Sequence, residues 1–135
     1  MEQFLRWLAA RRDILRSIAA ISDVTAATLI ALAPELGELD QRQIASLAGL
    51  APISRESGTW RGHAFIRGGR AALRETLYMP ALVAIRFNPD LKSVYERLTE
   101  RGKPKKVAIT AVMRKLIILA NALIRDGRKW TPETP

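Results

Sequence analysis

VAITAVMRKLIILANALI, residues 107–124, is the stretch whose reading decides the fold. Its 18 residues are apolar enough to cross a bilayer, yet Arg114 and Lys115 stand near the middle, where hydrocarbon penalises a charge heavily. The segment therefore reads as the core helix of a soluble bundle, about Pro104 to Asp126, with the proline in its first turn.

Working outward, Asn88 caps a fifth helix over Pro89 to Glu100, and a fourth helix runs from about Arg70 to Arg86. At the other end, Phe4, Trp7, Leu8, Leu15 and Ile18 share one helical stripe, with Arg6, Arg12, Asp13 and Arg16 off it. That pattern predicts a first helix over about residues 2–19 that needs a partner to bury its stripe. Ser22 and Asp23 can cap a second helix, Val24 to Leu32, which Pro34 and Gly37 bring to an end. Asp40 caps a short third helix, Gln41 to Ala48, closed by Gly49. Between Gly49 and Gly69 the periodicity fails and Gly, Pro, Ser and Thr set the rhythm. Trp60, Phe65 and Ile66 lie inside that segment and argue for an ordered insertion, because disordered segments seldom carry such anchors. The expected architecture is all-α: a single helical domain of about six helices over residues 1–127, with a helix-hairpin-helix-like N-terminal pair and an ordered Gly/Arg-rich insertion between the third and fourth helices. Residues 128–135 are expected to fray.

Composition agrees with this reading. A chain of 135 residues can bury roughly two thirds of its unfolded surface. Its apolar content is mostly Ala, Leu and Ile, with only 6% aromatic residues, which favours helix over sheet. The absence of cysteine removes disulfides, thiolate chemistry and zinc ribbons, and suits a cytoplasmic bacterial or archaeal protein. The opening MEQFLRWLAARRDILRSI mixes charge into helical spacing and reads as an amphipathic helix, not a secretory signal, and no membrane is expected as partner. No internal repeat or linker divides it.

The net charge of +9 predicts a polyanionic partner. Its placement says more than its size. Residues 21–52 hold Asp23, Glu35, Glu38 and Asp40 against Arg42 alone, whereas residues 101–115 hold six basic side chains and no acid. The run RGKPKK, Arg101 to Lys106, leads into the last helix, so Lys103, Lys105 and Lys106 read either as a solvated turn or as a phosphate-binding loop beside a helix N-terminus.

The segment Ser54 to Arg74, SRESGTWRGHAFIRGGRAALR, carries five arginines among four glycines. Arginine presents a rigid fork of donors that matches phosphate oxygens, and glycine lets backbone come close to a bulky anion. Ser57, followed by Gly58, is the hydroxyl to test as a nucleophile, with Arg55, Arg61, Arg67, Arg70 and Arg74 available to hold developing negative charge. The plainer reading makes Ser57 a turn hydroxyl and the arginines sequence-independent phosphate contacts. His63 is the only histidine, so no His pair for zinc and no Ser, His, Asp set can form. The acids are scattered, and no metal site is expected in this chain. Tyr78 and Tyr95, as tyrosines at helical spacing among Leu and Val, read as core residues before they read as recombinase nucleophiles.

The ordered series LAGLAP, SGTWRG, IRGGR, LYM, NP, GKPKKVA and RKL resembles the C-terminal transposase domain of the insertion sequence 110 family of DNA transposases, with the related 116 and 902 elements. The likeness covers about residues 17–124. It implies a catalytic serine that forms a covalent phosphoserine link to DNA, and a separate RuvC-like N-terminal domain whose acidic residues hold magnesium. It also implies DNA as partner, in better-studied members a guide RNA of the element, and assembly as a homo-oligomer or with full-length transposase. The serine of the family's SG pair falls on Ser57 and the flanking basic positions on Arg55, Arg61, Arg67 and Arg70. Ser54 stands where the family more often has Asn.

Two departures bear on what to expect. The family usually opens this domain with a PGIG-like turn inside a helix-hairpin-helix, and here the turn reads AAIS, Ala19 to Ser22. Alanine and serine adopt positive φ reluctantly, which weakens the case for a phosphate contact there. Met1 lies only one helix before the domain, so the metal-binding half is expected to be missing and the chain incomplete on its own. The alternative is a non-catalytic nucleic-acid-binding remnant or regulator.

Overall fold

A computed structural model describes residues 1–50 and 69–131. Six helices stand among them: α1 Glu2–Ser17, α2 Asp23–Leu32, α3 Gln41–Leu47, α4 Ala71–Phe87, α5 Pro89–Glu100 and α6 Lys105–Asp126. No strand occurs among the described residues, and the all-α reading holds.

The boundaries follow the capping chemistry. Ser22 accepts the Thr25 N–H at 3.2 Å at the head of α2. Asp40 and Gln43 form a reciprocal capping box at the head of α3, at 2.7 and 3.0 Å. Asn88 accepts from the N–H groups of Asp90 and Leu91 and starts α5 where α4 stops. Pro80 sits inside α4 and is buried. A proline there removes one helical hydrogen bond, so packing must hold the helix across it; Leu73, Leu77, Ala81 and Ala84 on the same buried face supply that packing.

α6 is the centre of the fold. It packs against α1, α3, α4 and α5, while α4 also meets α2 and α5, and α1 meets α2. Val112, Leu116, Ile117, Ala120 and Leu123 are among its fully buried positions, set against Leu15, Leu29, Ile44, Leu73 and Leu77. Each such leucine contributes about 1.5–3 kcal/mol by leaving water. α6 is long and apolar enough to cross a membrane, but here it is the core helix that the mid-segment charges imply. Arg114 is only half-buried and Lys115 is exposed.

Asn121, on α6, is a polar residue inside this core. Its Oδ1 accepts the Gly37 N–H at 2.7 Å and its Nδ2 donates to the Leu39 carbonyl at 2.8 Å. One carboxamide thereby fixes the turn between α2 and α3 to the last helix. Gly37 has φ +93°, and a Cβ there would lie 2.6 Å from Ile124 Cγ2, so this turn needs glycine twice over.

Within the tail expected to fray, Trp130 is fastened, its N–H donating to Ser17 Oγ at 2.7 Å and its indole packing against the core. One expectation needs correction. Tyr78 is not a core residue, since the register of α4 leaves it 46% exposed beside Met79; Tyr95 does pack on the core.

Candidate nucleic-acid interface

The residues that flank the 51–68 segment are fastened to each other. α3 ends in a left-handed glycine cap: Gly49 has φ +70°, its N–H donates to the Ser46 carbonyl at 2.9 Å, and the Leu50 N–H reaches the Ala45 carbonyl at 2.8 Å. Gly69 lies directly on that cap, so close that a Cβ on Gly69 would stand 2.3 Å from Gly49 Cα. The next N–H, of Arg70, donates to the Leu47 carbonyl at 2.7 Å. Two glycine backbones in contact bring Leu50 and Gly69 to one point, between the ends of α2 and α3 and the start of α4.

Arg70 and Arg74 complete this junction. Arg70 Nη1 donates to the Leu32 carbonyl at 2.8 Å and to Glu35 Oε1 at 2.9 Å, while Nη2 donates to Glu35 Oε2 at 2.6 Å. This is the two-pronged geometry in which guanidinium and carboxylate fit best. The hydrogen bonds from Arg70 hold the Glu35 carboxyl below the usual carboxylate range, helped by a backbone hydrogen bond and opposed by partial burial. Arg70 is raised in turn by the Glu35 hydrogen bond. Arg74 is half-buried and lies across Gly49, with Nη1 2.5 Å from where a Cβ would be.

Ser57, Arg55, Arg61 and Arg67 lie outside the described residues, as do Ser54, His63, Trp60, Phe65 and Ile66. So does the expected ordered insertion. Of the six other basic positions proposed for phosphate, or standing beside them, the structure separates two groups.

Lys103, Lys105 and Lys106, with Arg101, are all exposed around the α5–α6 turn, and none of the ion pairs among the described residues includes them. Gly102, at φ +84°, reverses the chain there. Pro104 is the N-cap of α6 and supplies no side-chain acceptor, which leaves first-turn N–H groups and the partial positive charge of the helix end facing the lysines. The second group, Arg70 and Arg74, belongs to the opposite end of α6. Asn121 holds α6 to the turn that carries Glu35, and Lys105 to Asn121 spans roughly 24 Å of helix. The structure does not bring Lys103, Lys105 and Lys106 to Arg70.

The α1–α2 turn has a different character. Ala20 holds φ +116°, the one positive φ outside glycine among the described residues. The backbone thus keeps a glycine-like shape without glycine. Ser22 Oγ caps Thr25 there, and Asp23 places a carboxylate at the first turn of α2, paired with Arg16 at 2.5 Å. An anion entering there would meet Asp23 first.

Glu35 is the residue that sequence reasoning missed. It counted only as one acid in an acid-rich stretch, and no local pattern links it to an arginine 35 positions away. Arg125, Arg128 and Lys129, also unconsidered, add basic charge at the same end of α6, although Asp126 pairs with the two arginines at 3.2 and 3.8 Å.

Residues 12–96 match the family described as Transposase IS116/IS110/IS902 family. The chain belongs to this transposase family. It is 33% identical over 124 residues to the pilin gene-inverting protein of Moraxella bovis, an overlap covering 89% of this chain and 38% of that protein. It is 31% identical over 128 residues to the insertion element IS116 uncharacterized 44.8 kDa protein of Streptomyces clavuligerus, covering 93% of this chain and 32% of that one. A third relative, the insertion element IS110 uncharacterized 43.6 kDa protein of Streptomyces coelicolor, is 32% identical over 93 residues, 68% of this chain and 23% of its own. The chain thus spans well under half the length of these relatives. The magnesium that the family resemblance implies has no ligand set among the described residues, where no three His, Cys, Asp or Glu side chains converge.

Proposed function

We propose that the chain is the DNA-binding, serine-bearing domain of an insertion-sequence transposase, acting in DNA recombination through Ser57. The observation that carries this reading is the family match over residues 12–96, which includes the SGTWRG and IRGGR motifs. In the proposed step Ser57 Oγ attacks the phosphorus of a phosphodiester. The Oγ–P bond forms as the bond from phosphorus to one sugar oxygen breaks, the hydroxyl proton is given up to a base, and the departing oxygen takes up a proton. A phosphodiester is exchanged for another, and no net hydrolysis occurs. Arg55, Arg61 and Arg67 are the guanidiniums assigned to the charge that accumulates on the non-bridging oxygens. Lys103, Lys105 and Lys106 are assigned to phosphates farther along the same DNA, because their exposure and lack of acid partners suit backbone contact without base reading. Metal-bearing domains, further subunits and any guide RNA come from other parts of the assembly, as in the family.

The test mixes the chain with a full-length family member whose own serine is replaced and with nicked element-end DNA. A covalent protein–DNA adduct that survives denaturation, and that Ser57→Ala abolishes, is expected. No adduct, or an equal one with Ser57→Ala, removes the catalytic claim and leaves a binding domain.

A further inference from the structure

Resting on the Ser57 reading, we propose that Arg70 serves the reaction as a positioning residue held by Glu35, and is not one of the phosphate ligands. Both of its terminal nitrogens are occupied, Nη1 by the Leu32 carbonyl and Glu35, Nη2 by Glu35. Its own N–H is bonded to Leu47, and the residue before it, Gly69, is seated on Gly49. Together these contacts reach three preceding elements: the end of α2, the turn after it, and the end of α3. Arg70 therefore ties the start of α4 to all three at the point where Leu50 and Gly69 meet. Glu35 is the second half of the tie, since a carboxylate accepts both prongs of the guanidinium as a phosphate would. While that pair stands, the end-on fork of Arg70 is taken by Glu35, and a DNA phosphate can claim that fork only by displacing Glu35. The tie instead fixes the frame from which the serine-bearing segment departs, and displacement of a reacting group by about 1 Å is worth up to about a hundredfold in rate.

The two roles predict opposite behaviour. Lysine keeps the charge of arginine but not its fork, so a phosphate contact tolerates Arg70→Lys while the tie does not. Using the adduct assay above with saturating DNA, Glu35→Gln and Arg70→Lys are each expected to slow adduct formation about tenfold. The double variant should be no slower than the worse single one, because both remove the same interaction. DNA affinity should change by less than about twofold, with an unaltered salt slope, since no phosphate is lost. The proposal is overturned if Arg70→Lys reacts like the unmodified chain, or if Glu35→Gln tightens DNA binding by freeing the guanidinium. If the unmodified chain gives no adduct, the Ser57 reading fails, and the binding arm alone decides the tie. Arg70→Gln then leaves the slope of log affinity against log salt unchanged if Arg70 is an internal tie, and lowers it by about 1 if Arg70 is a phosphate ligand.

Discussion

Asn121 shows how one side chain positions a distant part of this fold. Its carboxamide serves a donor and an acceptor of the α2–α3 turn from within the core, 84 residues away in sequence for Gly37. Replacing it with leucine leaves the Gly37 N–H and the Leu39 carbonyl without their partner, and an orphaned buried group costs about 1–3 kcal/mol. Asn121→Leu is accordingly expected to lower stability by about 3 kcal/mol in chemical denaturation, with no change in the slope of unfolding. Ala20 makes the opposite prediction. An alanine at φ +116° is strained by roughly 1–3 kcal/mol, and glycine relieves this while adding a smaller entropy to the unfolded chain. Ala20→Gly should therefore stabilise the protein by about 1 kcal/mol, read as a rise in midpoint. The AAIS turn takes up a positive φ at Ala20 without glycine, and Ser22 and Asp23 occupy the head of α2 behind it.

At the scale of elements, the helices were legible because each carries its own punctuation. Ser22, Asp40 and Asn88 cap, Gly49 terminates, and Pro104 opens the last helix, all within a few residues of the boundaries they predict. α4 runs through Pro80, as its apolar periodicity implies, because tertiary packing of one buried face outweighs a local rule. What could not be read is the junction between α2, α3 and α4. Arg70 and Arg74 read in sequence as two more arginines of a basic segment, and the approach of Gly69 to Gly49 is what sets them against the ends of α2 and α3. The Glu35–Arg70 pair also has a pH signature. Arg70 lowers the Glu35 carboxyl, so the pair's contribution is present above the ordinary value of 4.5 and disappears as pH falls below it toward the lowered folded value. Acid titration of the unmodified chain should lose more stability through that window than Glu35→Gln does. Both groups are partly exposed, which keeps the difference small and sensitive to salt.

For the whole molecule, two of the basic clusters stand at separate ends of one long core helix. Roughly 24 Å along α6 corresponds to about seven base pairs of duplex, so contact with both ends requires a run of DNA and not a single phosphate. The lysines at the head of α6 carry the cleanest prediction, because they have no role in the core. Replacing Lys103, Lys105 and Lys106 together by alanine should leave the melting temperature within a degree or two and flatten the salt dependence of DNA affinity by roughly 2 to 3 in slope. An unchanged slope would remove them from the interface. The family and its motifs were visible in the sequence, since they are local strings; the separation of the basic clusters was not, since it depends on the direction in which α6 crosses the bundle.

The central claim is that Ser57 becomes bonded to DNA. Mass-spectrometric mapping of the trapped adduct tests it most directly. Trypsin should release residues 56–61, ESGTWR, between Arg55 and Arg61, and the account predicts a nucleotide phosphate on Ser57 within that peptide. A nucleotide found on Ser54, on the exposed Tyr78 or on any other residue would contradict it.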